Sequence, residues 1–297
     1  MGTVAGEAEV VANLDSELGE GPLWDPRIGR IVWVDIRGDL VHQTDPATGS
    51  TDSFATPGTI GAIVRRGSGG YVAALHDGFW TWDGTASADA WQKLVGVEDD
   101  RPEMRFNDGK VDPAGRFWAG TMGVVYQEQP WKGSLYRLDA DHRVTRTVDG
   151  VWISNGLAWS VDASTMYYID TKRSRVDAFR YDVGSGEIGD RRTWVEIPPQ
   201  LGSPDGMAID VEGGLWVAVW GGWAVQRYVD GRLDRVVRLP VAEASSCAFG
   251  GPDLDVLYIT TARDELNEEE RRAQPLAGSL FRADPGVRGA AIPEYAG

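Results

Sequence analysis

Four segments, far apart in the chain, each place a polar residue ahead of an apolar run: GEGPLWDP (19–26), FNDGKVDP (106–113), SNGLAWSV (154–161) and PDGMAIDV (204–211). The polar residues are Glu20, Asn107, Asn155 and Asp205, separated by 87, 48 and 50 residues. The first interval is about two repeat lengths and the others one. If each repeat is the same unit set around an axis, equivalent positions converge. Two carboxylates and two amides at one point make an oxygen-rich cage for a hard divalent cation. Asn and Asp ahead of a strand also serve ordinary turns, so the weight lies in the recurrence. Glu20 is not a usual turn former, and a carboxylate near a crowded axis is costly to bury without a cation. No lysine or arginine stands at the equivalent corners. Two units lack a ligand there, the second offering Thr59 or Ile60 and the sixth Ser245. A donor set without His or Cys favours Ca²⁺, Mg²⁺ or Mn²⁺ over a structural zinc site. His42, His76 and His142 have no ligand-like spacing.

A second repeat supplies the elements that must hold these corners. Six strand-like segments end in aspartate at a turn, at Asp45, Asp83, Asp139, Asp182, Asp230 and Asp284. Aspartate followed by Gly, or by Pro and a nearby Gly, is hairpin chemistry. Most are preceded by a further strand: RIVWVDI, GYVAAL, RFWAGT, TMYYIDT, GLWVAVW and VLYITTA. A unit of roughly 40–50 residues built from about four strands is the signature of a propeller blade. The expected fold is therefore all-β: a six-bladed β-propeller with four-stranded antiparallel blades around an axial metal site, formed by residues 1–297 as one domain. Residues 8–14 (AEVVANL) are expected to close the last blade and remove two exposed edges. The best helical exception is 267–274, where Asn267 and Glu270 fit a capping box. Two long connections, 123–132 and 262–278, fit either specificity loops or solvated surface.

Composition narrows the functional classes. The chain has 297 residues, 42% of them hydrophobic, with 13 tryptophans and 38 glycines, as aromatic strands broken by glycine turns require. A net charge of −16 repels phosphate backbones and anionic membranes, so neither nucleic acid nor membrane is an expected partner. Cys247 is the only cysteine, which rules out an intrachain disulfide. No signal-peptide pattern or spanning segment is read at the N-terminus or elsewhere, and a cytoplasmic protein is expected. There is no GxSxG elbow and no P-loop. GSGEIG (184–189) matches GxGxxG by letters but follows FRYDV at a hairpin and opens no helix. Cys247, beside Ala248 and Phe249, reads as core. Composition does not fix an oligomeric state.

Taken together, GEGPLW, RFNDGKVDPAGRFWAGTM, ISNGLAWS, YYIDT, VDAFRYD, PDGMAID, GLWVA, SCAFGG and ITTARD resemble the regucalcin-like sugar lactonases of the senescence marker protein, gluconolactonase and luciferin-regenerating enzyme family. The resemblance runs from about residue 18 to 283. It implies a six-bladed propeller with one divalent cation, Ca²⁺, Mg²⁺, Mn²⁺ or Zn²⁺, in the axial channel. It implies metal ligands at Glu20, Asn155 and Asp205, with Arg105 and Asn107 holding substrate hydroxyls; related phosphotriesterases use the asparagine as a fourth ligand. Animal members carry acidic residues just after AGTM, where this chain has Gly123, Val124 and Val125, which implies a different or less polar lactone. Val124, Val125, Tyr126 and Trp131 are expected to form either an apolar wall at the mouth or blade packing. The implied activity is metal-dependent hydrolysis of an aldonolactone such as gluconolactone, a small-molecule sugar lactone, with Asp205 as candidate general base. Phosphotriester hydrolysis on the same metal, or a calcium-binding or partner-binding propeller without turnover, are the alternatives.

Overall fold

The computed structural model describes residues 3–297. Six sheets, each built on four antiparallel strands, follow one another along the chain, and the first strands of successive sheets touch in unbroken order, the sixth meeting the first. The molecule is a six-bladed β-propeller. Its innermost strands are Gly19–Asp25, Ile60–Arg65, Met104–Val111, Ser154–Trp159, Ser203–Ile209 and Ala244–Gly250. Each pairs with a second strand, and the second with a third that ends immediately before one of the six repeated aspartates, as at Leu40–Thr44 before Asp45 and Ser279–Ala283 before Asp284.

Burial falls outward through each blade. Ile60–Arg65 and Ser154–Trp159 are buried throughout, whereas outermost strands such as Thr51–Ala55 and Trp91–Gly96 are largely solvated. Strands covered on both faces need no alternation, which is why segments such as Tyr71–Leu75 are uniformly buried. The core divides into six clusters, one at each blade–blade contact. Trp216, Phe249 and Phe281 join blades 5 and 6, and Trp24, Trp33 and Leu280 join blades 6 and 1.

The chain's beginning completes its end. Glu9–Asn13 pairs antiparallel with Ser279–Ala283 as the outer strand of blade 6. Thr3–Glu7 adds a fifth strand to blade 5, parallel to Arg232–Arg238, an addition that the repeat pattern does not announce. After Ala283 the chain crosses the propeller at the end of the axis opposite the polar corners. Ala290 donates to the Ile209 carbonyl (3.1 Å), Tyr295 to Arg65 (2.9 Å) and Ala296 to Gly115 (2.9 Å), tying blades 5, 2 and 3 together. The short helix Glu268–Ala273 carries the expected capping box on Asn267 and Glu270. Among the described residues, no helix is long and apolar enough to cross a membrane.

Candidate metal centre and substrate pocket

Every innermost strand is irregular at the same place. The ladder skips between Glu20 and Leu23, Ile60 and Ala62, Phe106 and Gly109, Ser154 and Leu157, Pro204 and Met207, and Ala244 and Ser246. A bulge at this point re-aims one side chain toward the axis. The glycine after the polar residue has a steric cause. A Cβ on Gly156 would sit 2.8 Å from the Asp205 carbonyl, and one on Gly206 would meet the Ser246 hydroxyl at 2.1 Å. Neighbouring first strands approach so closely that a side chain there would push the blades apart.

The structure brings Glu20, Arg105, Asn107, Asn155 and Asp205 into the lining of one pocket of about 170 Å³. All five are buried. Aspartates at the ends of second strands set the backbone leading into two corners. Asp35 accepts from the N–H groups of Glu17 (3.0 Å) and Leu18 (3.1 Å), and Asp170 from those of Trp152 (3.3 Å) and Ile153 (3.1 Å). A chain of hydrogen bonds then links three blades across the axis. Arg105 Nη1 donates to Asn107 Oδ1 (2.7 Å), Asn107 Nδ2 to Asn155 Oδ1 (2.8 Å), Asn155 Nδ2 to Thr171 Oγ1 (2.7 Å), and Thr171 to the Pro204 carbonyl beside Asp205 (2.9 Å). Asn107 thus gives its oxygen to Arg105, which suits it to positioning substrate better than to binding a cation. Asn155 Oδ1 keeps a lone pair for a further partner.

The electrostatics are those of a site short of positive charge. Burial, with Asp108 beside it, raises the Glu20 pKa to about 8. Asp205 is pushed well above the usual carboxylate range by burial and by Glu20, Asp108 and Glu243. Burial draws Arg105 down to about 10, a value at which it is still a cation at neutral pH. Its Nε is buried without a partner. Among the described residues no three His, Cys, Asp or Glu side chains gather as a metal-binding group, so the donor set available is two carboxylates and an amide oxygen. Those donors fit a hard divalent cation, which would offset the cost of burying both acids.

Several contributors were not legible beforehand. Thr171 couples Asn155 to the Asp205 segment, and Asp108 stands next to Asn107 in the same FNDG motif, the one signal that could have flagged it. Lys172, Arg37, Asp264 and Glu265 also line the pocket, whereas Val124 and Val125 do not. Of the residues expected at the mouth, Tyr126 lines it and Trp131 packs edge-on against Trp152 outside it. Cys247 is buried among apolar side chains, its thiol pushed up to about 12 by burial, as a core residue should be. A larger cavity of about 400 Å³ occupies the opposite end of the axis. Its walls are mostly apolar and include none of the four corner side chains.

Comparison with known proteins agrees with this fold. Regucalcin from Xenopus laevis is 41% identical over 97% of this chain and 98% of its own length. The structure of a calcium-binding protein, regucalcin, from Agrobacterium tumefaciens superposes with a TM-score of 0.93 at 30% identity, covering 99% of each chain. A luciferin-regenerating enzyme superposes with a TM-score of 0.89 at 33% identity, covering 97% of this chain and 99% of that one. Residues 18–263 match the model of the SMP-30/gluconolactonase/LRE-like region, and the chain belongs to that family.

Proposed function

We propose that this protein is a divalent-metal-dependent lactonase that opens a sugar lactone to the free acid. Family membership and the likeness to regucalcin support a lactonase-type or calcium-binding propeller. The observation that favours turnover is Arg105: a buried guanidinium with an unpartnered Nε, held by Asn107 at the wall of a pocket that also contains two carboxylates short of counter-charge. A site for binding a cation alone has no use for it.

Glu20, Asn155 and Asp205 would hold the cation. When bound, a divalent cation supplies Lewis-acid stabilisation of the charge that develops on the lactone carbonyl oxygen. Arg105 and Asn107 fix the sugar by its hydroxyls, so that the carbonyl carbon is presented in one orientation. Asp205, a cation ligand beside the point of attack, accepts a proton as water adds to that carbon. The ring carbon–oxygen bond then breaks, and the proton passes to the departing ring oxygen to leave a hydroxy acid. The carrier of the wall contacts is Arg105, and Thr171 keeps Asn155 and the Asp205 segment in register.

The test is proton release from γ- and δ-aldonolactones by chelator-stripped protein, with Ca²⁺, Mg²⁺, Mn²⁺ or Zn²⁺ restored singly. Metal-restored hydrolysis is expected. Cation binding without turnover of any lactone would leave the calcium-binding reading, and faster turnover of a phosphotriester would replace the substrate class.

A further inference from the structure

The two long connections meet over the pocket. The Tyr126 hydroxyl, in the first, donates to Glu265 in the second (3.3 Å), and Trp152 Nε1 donates to the Tyr126 carbonyl (2.9 Å). Lys172 lies over the faces of both rings, its Nζ 4.7 Å from the centre of Tyr126 and 5.9 Å from that of Trp152. It follows Thr171, the residue that braces Asn155, and it lines the same pocket as Glu20, Asn107 and Asp205. Arg37, the other peripheral cation of that pocket, is paired with Asp264 at 2.9 Å. Among the described residues no carboxylate stands within 4.0 Å of the Lys172 ammonium, Glu265 being engaged by the Tyr126 hydroxyl. An ammonium held at the rim by two aromatic faces, and left without an anion, is arranged to receive one.

The charge balance of the pocket agrees. Its lining holds four carboxylates (Glu20, Asp205, Asp264, Glu265) and three cations (Arg37, Arg105, Lys172). Asp108 and Glu243 act on the same acids and Lys110 on Glu20, so one divalent cation brings the site to about neutrality, inside a chain whose net charge is −16. A protein of that charge repels anions except where local positive charge offsets it, as the Lys172 ammonium does at the rim. Resting on the lactonase reading above, we infer that the preferred substrates are lactones that retain a free carboxylate, the monolactones of sugar diacids, and that Lys172 is the specificity-determining residue that holds this group. The single charge of one ammonium is matched by one carboxylate, whereas a phosphate dianion would leave a negative charge uncompensated in this acidic chain. Tyr126 and Trp152 keep the ammonium in place, and in this chain the pair of Lys172 and Tyr126 stands at the wall that Val124 and Val125 do not reach.

The experiment measures kcat/KM of the full chain, with the best cation restored, on three lactones of one carbon skeleton: neutral, carboxylate-bearing and phosphorylated. Wild type, Lys172→Met and Lys172→Glu are compared at low and high salt. Wild type is expected to favour the carboxylate-bearing lactone over the neutral one by roughly five- to tenfold. That ratio falls toward one in Lys172→Met, which keeps the packing on Tyr126 and Trp152, and falls below one in Lys172→Glu. The loss resides in KM, and added salt narrows the wild-type ratio. A Lys172→Met variant that slows all three lactones equally would show a purely structural lysine and overturn the inference. A preference for the phosphorylated lactone would overturn the carboxylate assignment. Calorimetric binding of an open-chain sugar diacid and its monoacid counterpart separates the two readings. Absent turnover with a Lys172-dependent diacid preference sinks the lactonase alone; lactone turnover without any diacid preference sinks this inference alone.

Discussion

Asp205 and Asp210 sit five residues apart, at the two ends of one strand, and both are buried. Asp210 is saturated. It accepts from the N–H groups of Glu212 (2.9 Å) and Gly214 (2.9 Å), from Trp216 Nε1 (2.8 Å) and from Arg227 Nε (2.7 Å). Asp112 in blade 3 repeats the pattern with Ala114, Arg116, Trp118 and the Tyr181 hydroxyl. Around Asp205 the donor found among the described residues is the backbone N–H of Gly206, and the neighbours are Glu20, Asp108 and Glu243. The same side chain is a structural knot at one end of the strand and an unmet demand at the other. Neither burial nor residue type distinguishes scaffold from site here; the supply of donors does.

The contrast can be broken by mutation. Asp205→Asn should cut lactone hydrolysis at saturating cation by about 10²–10⁴-fold, the usual worth of a general base, while the cation-free protein melts no lower than wild type. A clear fall in its Tm would mean that Asp205 is part of the scaffold after all. Asp210→Ala should do the reverse, costing about 3–5 kcal/mol in urea unfolding because the N–H groups of Glu212 and Gly214, Trp216 Nε1 and Arg227 Nε all lose their acceptor. Cation affinity of the folded fraction, read by calorimetry, should stay within a few-fold of wild type. Arg105→Met removes a charged hydrogen-bonding partner worth roughly 1.5–3 kcal/mol and should raise KM for lactones far more than it lowers cation affinity.

Proton linkage sharpens the same point. The folded, cation-free protein holds the Glu20 proton more tightly than an unfolded chain does, with a pKa near 8 against an ordinary 4.5. This contribution to stability is present below about pH 4.5 and declines as pH rises toward 8. A bound cation displaces that proton, so the Tm gain on adding it should widen from pH 5 to 8, and apparent affinity should rise by up to roughly tenfold per pH unit for each proton displaced. A gain independent of pH would remove Glu20 from the cation site. The smallest effect belongs to Ser245, the sixth corner, whose hydroxyl donates to the Gly19 carbonyl and bonds with Thr260. Ser245→Ala should cost about 0.5–1.5 kcal/mol and leave cation affinity untouched.

Much of this was legible in the residues because blades repeat. Turn aspartates such as Asp83 and Asp182 follow the third strands directly, since the chemistry that closes a hairpin is local and recurs at fixed places. The corner residues were legible for the same reason. Thr171, Lys172 and Glu243 were not, because their roles depend on which blades become neighbours and on how far a side chain reaches across the axis. The segment after Ala283 was silent for another reason. Tyr295 is fully buried, yet one aromatic in a short polar stretch carries no periodicity, and what buries it is the underside of blades already built.

The pairing of Glu9 with Arg282 spans 273 residues, and it sets the order in which the protein can be made. A ribosome delivers the first strands of the molecule long before their partners exist. Residues 3–13 must wait, unpaired, until blade 5 and then blade 6 emerge, so ring closure is a late event of high contact order. A nascent chain stopped anywhere before residue 283 therefore carries two open strand edges and the bare faces of its end blades. A shortened chain should therefore aggregate rather than fold into a smaller propeller.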